Sequence, residues 1–415
     1  MKILWVKAGK ILPVDTGGRI RSYNIMRHLA ARNELIFLSY YPGECDAAYE
    51  RELAEKFPGA VSFPAGAPAG RVGQALHYLT RLPSSAPYAV AKFTAPSVKR
   101  ALMQIVERER PDVAVCDFLA ASLNFPDPLP VPSVLFQHNV ESALWNRQAK
   151  HERNPVKKLV FSIEAAKMRR YEPATVARFP HVVAVSENDR ALMSAMTDPS
   201  RITVVPTGVD TAAYRTDASV GQDKPTVMFL GSMDWPANID GVELFCEQIW
   251  PKVVAAVPDA RFQVVGRNPS ARTQRLASDS VEIVGGVKSV MPYLQNAAVF
   301  VVPLRIGGGT RLKIYEAMAA QRAIVSTSIG AEGLDYRDGM DIVIADEPEA
   351  FAGELIRLLR SPQERVQIGR NAGVTAARTD WSVVAESFER VLTNCSSRSS
   401  ARSPTPALSA VRRFD

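Results

Sequence analysis

The chain has 415 residues, 47% of them hydrophobic and 22% charged, and a formal net charge of +7. It is too long for one ordinary core and too apolar for a disordered polymer, so two domains of about 200 residues are expected. The cation excess suits nucleic acid, acidic lipid or a phosphorylated substrate, and the lack of interleaved aromatic and basic residues argues against nucleic acid.

Apolar runs suited to strands recur along the chain. In the first half they fall at residues 2–6, 35–40, 113–116, 133–136, 182–185 and 202–205. In the second half they fall at 227–230, 262–265, 282–284, 299–302, 324–326 and 342–344. Continuous Val, Ile and Leu runs separated by helical stretches indicate parallel sheets covered on both faces. The predicted class is therefore α/β, with two doubly wound Rossmann-like domains. The first is expected over 1–205, a polar and irregular linker over 206–225, and the second over 226–380. A last helix is expected over 381–395. Residues 396–415, rich in Ser, Arg and Pro, are predicted to be disordered. The opening run is short and no small-residue cleavage site follows, so a first strand is expected there, not a leader. No run is long enough to span a bilayer. Cys45, Cys116, Cys246 and Cys395 are scattered and form no Cys-x-x-Cys pair. Free thiols in a reducing cytoplasm are the simpler expectation, without structural zinc.

The segment Pro303-Leu-Arg-Ile-Gly307-Gly308-Gly309-Thr310-Arg311-Leu-Lys313-Ile-Tyr-Glu316 is the richest in chemistry. It follows a predicted strand and opens a predicted helix with Thr310 as its cap. Free amides and the positive end of the helix dipole would converge there on an anion. Arg311 and Lys313 put full positive charges in the first turn, where the dipole opposes them unless an anion such as pyrophosphate is bound. Glu316 lies three residues past Lys313, on the same helix face, placed to take the vicinal hydroxyls of a ribose. A tight turn with surface charges is the other reading. The segment is neither a Walker A loop nor a Gly-x-Gly-x-x-Gly fingerprint.

Further candidates lie at the carboxyl ends of predicted strands, where open α/β sheets bind ligands. Gly17-Gly18 follows the first strand and would admit a ligand close to the backbone, or form a plain turn. His138 directly follows the strand at 133–136 and is either a structural hydrogen-bonder or a contact to a reacting sugar. Gly231-Ser232 follows the first strand of the second half. Gly266-Arg267 and Val287 end two further strands and are candidates for a base pocket. Ser186-Glu187 reads first as a helix cap, and Pro206–Asp210 as a turn or a hinge wall. No Asp-x-Asp motif and no metal-spaced cluster occurs, so a bound diphosphate would be neutralised by protein cations and helix dipoles. From Trp145 to Arg170 the chain carries Arg147, Lys150, Arg153, Lys157, Lys158, Lys167, Arg169 and Arg170 among Leu159, Val160, Phe161 and Ile163. This is either a solvated helix face or a surface that rests on anionic lipid.

These motifs, in this order, resemble glycosyltransferase family 4, whose members have the two-domain GT-B fold with a cleft between the domains. Gly17-Gly18, His138, Val182–Glu187, Pro206–Asp210 (with Thr207 where Asn is usual), Glu316–Ala319 and the Trp381 helix match its pattern. The family has a carboxylate eight residues ahead of Glu316, where this chain has Gly308. It also often has Arg and Lys after the first strand of the second domain, where this chain has Ser232-Met-Asp-Trp-Pro; Arg311 and Lys313 are the available replacements. The Gly-Gly-Gly-Thr-Arg variant resembles a branch associated with bacterial surface polysaccharide.

The resemblance implies a retaining, metal-independent transferase with no cofactor. A nucleotide-diphosphate sugar would be the co-substrate and a glycan or lipid-linked molecule the acceptor. The candidate catalytic residues are His138, Arg311, Lys313 and Glu316. The candidate donor-binding residues are Gly17, Gly18, Gly231, Ser232, Gly266, Arg267, Val287, Gly307, Gly308, Gly309 and Thr310. A cytoplasmic protein, peripheral on the inner membrane face, is expected. The alternatives are a non-catalytic sugar-nucleotide-binding component of a polysaccharide assembly and a nucleotide-sugar epimerase.

Overall fold

The computed structural model describes residues 1–400 apart from 69, 153, 222 and 307–311. The chain folds as two compact units, one of Met1–Val205 with the segment from Ala385 onward, the other of Pro206–Val384.

The first unit contains β1 (Lys2–Ala8), β2 (Glu34–Tyr41), β3 (Val61–Pro64), β4 (Val113–Asp117), β5 (Ser133–Phe136), β6 (His181–Ala184) and β7 (Ile202–Val204). They form one parallel sheet in the order β3-β2-β1-β4-β5-β6-β7. The order reverses between β1 and β4, and there the carboxyl ends of the strands leave a crevice. Leu4, Val6, Cys116 and Leu135 pack into a core on one face. On the other, Trp5 and Phe136 meet Phe388 of the last helix, with ring centroids 5.4 and 4.9 Å apart. The sequence pattern does not reveal β3. Its four residues are only half-buried and end in proline, which a sheet tolerates at an edge.

The second unit contains β8 (Thr226–Leu230), β9 (Arg261–Val265), β10 (Val281–Gly285), β11 (Val299–Val302), β12 (Ala323–Ser326) and β13 (Val343–Ile344). Their order is β10-β9-β8-β11-β12-β13, again parallel, with the reversal between β8 and β11. Phe245, Trp250 and Phe262 anchor its core, the Phe245 and Phe262 rings being 4.4 Å apart.

Two expectations need correction. Residues 206–225 are not a loose linker but a strap packed on the second unit. Val209 N donates to Thr379 O at 2.9 Å, and Thr211 donates twice to Asp380, at 3.1 Å from N and 2.6 Å from Oγ1. The fully buried Arg322 donates to Val220 O and Asp217 O, each at 2.6 Å, and to Thr216 Oγ1 at 3.0 Å. A polar strap needs few apolar residues when a buried guanidinium collects its carbonyls, so hydropathy could not show it. The last helix, Trp381–Ser400, also continues past 395. Phe388, Leu392 and Cys395 recur on one face and keep it buried against the first unit. The rest of the predicted tail, 401–415, lies outside the described residues.

Removing the Arg322 guanidinium leaves several carbonyls without their donor. Arg322→Met should destabilise the second unit by about 3 kcal/mol and open residues 206–225 to limited proteolysis. A cleavage pattern and melting temperature equal to wild type would refute the role given to Arg322.

Candidate active site

In the first unit the chemistry gathers at the sheet reversal. Side chains alternate along β1, so Trp5 and Lys7 face the same side. Lys7 is in register with Asp117 on β4. Trp5 Nε1 and Lys7 Nζ each donate to Asp117 Oδ2 at 2.9 Å, and His138 Nε2 lies 2.7 Å from Oδ1. Arg21 Nη1 approaches His138 Nδ1 at 3.0 Å. A guanidinium can only donate, so Nδ1 holds the lone pair and Nε2–H donates to Asp117. The imidazole is therefore neutral, with both nitrogens bonded inside the protein.

The electrostatics agree with that tautomer. Burial pushes the His138 pKa down to about 4, Asp117 pulls it back, and Arg21 and Lys7 add to the fall. Burial alone would favour neutral Asp117, yet Lys7 and His138 hold its carboxyl well below the usual range. Burial also lowers Arg21 to about 10, opposed by Asp189 and Asp117, so it stays charged near neutrality. The helix Gly17–Ala30 begins over this cluster. A methyl group on Gly18 would lie 3.5 Å from His138 Nδ1. Ser22 Oγ donates to Gly18 O at 3.0 Å and lies 3.2 Å from Lys7 Nζ. Gly18 thus lies beside His138, with Gly17 next to it at the start of the helix. Ser186 caps the helix Glu187–Met193, and Asp189 of that helix is one of the two carboxylates acting on Arg21.

In the second unit the loops after β8, β9 and β10 converge. Gly231 N donates to Val265 O at 3.0 Å and Gly266 N to Gly285 O at 2.9 Å. A Cβ on Gly266 would fall 1.8 Å from Gly231 O, so only glycine fits. Lys313, from the helix Leu312–Ala319, reaches over this backbone. Its Nζ donates to Asn238 Oδ1 at 2.8 Å, sits 4.4 Å from the Phe229 ring centroid, and would lie 2.7 Å from a Cβ on Gly231. One turn later, Glu316 Oε1 accepts from the Tyr214 hydroxyl at 2.9 Å. Burial raises the Glu316 pKa, while Tyr214 and Lys313 pull it down. Arg267 Nε donates to Ser232 Oγ at 3.0 Å, and Ser232 Oγ donates to Asp234 at 2.6 Å. Val287 is half-buried against the core nearby in sequence.

Of the residues singled out in sequence, Gly231, Ser232, Gly266 and Arg267 form one hydrogen-bonded rim. Lys313 reaches that rim, and Glu316 follows on the same helix. Gly307, Gly308, Gly309, Thr310 and Arg311 lie outside the described residues. Lys7, Arg21, Asp117 and Tyr214 escaped the sequence reading. Lys7 and Asp117 each stand directly after a predicted apolar run, at 2–6 and 113–116, and a charged residue in that position was the available signal. Tyr214 sits in the stretch read as a linker, and nothing in the local pattern marks it. Among the described residues, no group of three or more His, Cys, Asp or Glu side chains could hold a metal ion.

A histidine with a lowered native pKa takes up its proton more readily in the unfolded chain. The unfolded state therefore binds more protons between the ordinary value of 6.5 and about 4, and stability must fall as pH drops through that window. At pH 5 the loss from His138 should be roughly 1–2 kcal/mol relative to pH 7. His138→Asn should flatten the dependence of melting temperature on pH between 7 and 5. An unchanged slope would show that His138 is not neutral in the folded protein.

Two family models cover most of the chain: Glycosyltransferase Family 4 over residues 16–213, and Glycosyl transferases group 1 over residues 224–361. The phosphatidyl-myo-inositol mannosyltransferase of Mycolicibacterium smegmatis is 30% identical over 247 residues, 57% of this chain and 61% of that protein. An uncharacterized 44.6 kDa protein in the cps region of Klebsiella pneumoniae is 26% identical over 156 residues, 35% of this chain and 40% of that protein. The chain thus matches about half the length of these curated relatives. HepE of Anabaena, solved in complex with UDP, superposes with a TM-score of 0.65 at 15% identity, covering 95% of this chain and all of its own. Two parallel α/β units, each with its crevice at a sheet reversal, form the GT-B fold, and the chain belongs to glycosyltransferase family 4.

Proposed function

We propose that this chain transfers a sugar from a nucleotide-diphosphate donor to a glycan or lipid-linked acceptor, with retention at the anomeric carbon and without a metal ion. The observation that carries this is the Leu312–Ala319 helix at the reversal of the second sheet. It sets the Lys313 ammonium against bare glycine backbone and places the Glu316 carboxylate one turn later. A diphosphate laid on Gly231 would meet Lys313, and the ribose hydroxyls would reach Glu316. Thr310 and Arg311, which precede Lys313 in sequence, are further candidates for holding that anion. Gly266 and Arg267 would border the base, with Val287 over it. Charge developing on the leaving phosphate is then stabilised by protein cations, and the phosphate itself takes the acceptor's proton.

Gly17, Gly18 and His138 are the first unit's own candidate ligand contacts. His138, neutral and with both nitrogens bonded inside the protein, would not shuttle a proton. That the Klebsiella relative is named for a cps region supports a role in surface or exopolysaccharide assembly, and the HepE complex with UDP supports a nucleotide donor. The described cysteines form no disulfide, which is in keeping with a reducing compartment, and the proposed setting is the cytoplasm, at the inner face of the membrane.

The membrane contact rests on two helices of the first unit. Arg71–Arg81 exposes Val72, Leu76 and Leu79, and Pro155–Arg178 exposes Val156, Leu159 and Ile163, each set on one helix face. Lys167 Nζ on the second helix reaches Arg81 O on the first at 3.5 Å. Lys157 and Lys158 are exposed beside the second aliphatic row. Aliphatic rows edged by lysines suit an anionic bilayer surface. Among the described residues no helix is long and apolar enough to cross a membrane.

Lys313→Ala and Glu316→Ala should each lower transfer at least tenfold, about 1.4 kcal/mol or more, and EDTA should leave wild-type transfer intact. Wild-type turnover in both variants would remove the site assignment, and strict dependence on added Mn²⁺ would remove the metal-free mechanism. The protein should sediment with vesicles containing anionic lipid, and Leu159→Glu combined with Leu76→Glu should release it. Equal binding to neutral vesicles, or none to either, would end the membrane proposal.

A further inference from the structure

We propose that Tyr214 is a positioning residue for the donor site, aiming the Glu316 carboxylate at the ribose. This rests on the assignment of Glu316 as the ribose-binding group and adds the residue that makes it competent.

A buried carboxylate that must accept hydrogen bonds from two ribose hydroxyls faces two difficulties. Its side chain has three rotatable bonds to fix, and burial favours the protonated acid, which is a poorer acceptor. The Tyr214 hydroxyl answers both by donating to Oε1 at 2.9 Å. Tyr214 itself stays protonated, because burial and the charge of Glu316 raise its pKa further, with Asp210 adding to the effect.

The tyrosine is in turn held from both sides. It ends the short helix Thr211–Tyr214, whose start is capped by Asp210, which accepts from Ala213 N at 2.9 Å. Thr211 is tied to Asp380 ahead of it, and behind it Thr216 Oγ1 donates to Ala320 O, the residue after the Glu316 helix. The strap is thereby fastened to the same helix on which the carboxylate stands. Had residues 206–225 been a free linker, the hydroxyl would have had no fixed position to offer.

The groups acting on the Glu316 carboxylate are Tyr214 from the strap and Lys313 from its own helix, both favouring the ionised form. From the packed helix Pro362–Ala377, Arg370 acts on Asp217 of the strap. Removing the tyrosine hydroxyl therefore shifts Glu316 towards protonation, and the acid limit of donor binding must move to higher pH.

The full-length protein would be titrated with UDP and, in parallel, with GDP and the 2′-deoxy form of each, from pH 5 to pH 8. Wild type should prefer ribose over deoxyribose. Tyr214→Phe, which keeps the ring, should weaken ribonucleotide binding roughly tenfold at neutral pH, shrink the ribose preference and move the acid midpoint upward. Glu316→Ala should abolish the preference altogether. If Glu316→Ala keeps it, the ribose assignment fails. If Glu316→Ala loses it while Tyr214→Phe retains both the preference and the wild-type midpoint, the assignment stands and the positioning role is overturned. A lower melting temperature in Tyr214→Phe without change in either readout also overturns it.

Discussion

Asp117 keeps a full negative charge in the core of the first unit, and the local structure is arranged around keeping that charge supplied with donors. An unpaired carboxylate at this depth would protonate or disrupt the sheet. Three donors from two elements prevent this: an indole and an ammonium from β1, and an imidazole from the turn beyond β5. Because the donors and Asp117 belong to different elements, these bonds also fix the relative height of β1, β4 and the turn beyond β5. Arg21 then closes the arrangement over His138, bringing the start of the Gly17–Ala30 helix down onto the crevice. Breaking a buried pair of this kind typically costs about 3–5 kcal/mol, a large share of one unit's stability. The residue that looked catalytic in the sequence, His138, is held in place by one that did not.

The second unit meets the same topological requirement by other means. Its reversal between β8 and β11 also needs a rim that a ligand can approach, but here the rim is built by close backbone contact. Gly266 lies against the Gly231 carbonyl with no room for a side chain, and Lys313 lies across Gly231 in the space a Cβ would fill. The first unit fixes its crevice with buried charge, whereas the second sets one ammonium over a glycine turn whose amides are bonded to neighbouring strands. The first arrangement is rigid and internally satisfied. The second is held by backbone packing, with Lys313 half-buried against the Phe229 ring and the Asn238 amide.

That difference decides what could be read from the sequence. Glycines after apolar runs are visible in a single chain because glycine has few other reasons to recur at strand ends, so Gly231, Gly266 and the Gly17-Gly18 pair stood out. Eleven of the strands were legible almost to the residue for the same reason: both faces of a parallel strand are covered, so its run is continuous. β3 was not, being half-buried at an edge, and β13 is only two residues long though its place was foreseen. Asp117, Lys7 and Arg21 are bound by contacts between residues about 110 positions apart, which no local window can contain. The strap over 206–225 was misread because its cohesion comes from Arg322 collecting carbonyls, an interaction with no periodicity at all.

Net charge of +7 could not choose among lipid, nucleotide and nucleic acid, and the distribution of that charge explains why. Lys7 and Arg21 are buried among carboxylates, so at the distance of a Debye length, about 8 Å in physiological salt, they contribute little to any approaching molecule. The exposed lysines of Pro155–Arg178 are in the opposite position, screened but reachable from solvent. They can act on an extended charged surface pressed against the helix, and only weakly on a small solute passing in solution. Lys313 is neither, being half-buried beside an aromatic ring and a neutral amide, in surroundings that strengthen its pull on an anion seated within a few ångströms. The same excess of cations thus divides into one set buried in the fold, one spread along an exposed helix and one half-buried beside a glycine turn. Composition reports only their sum.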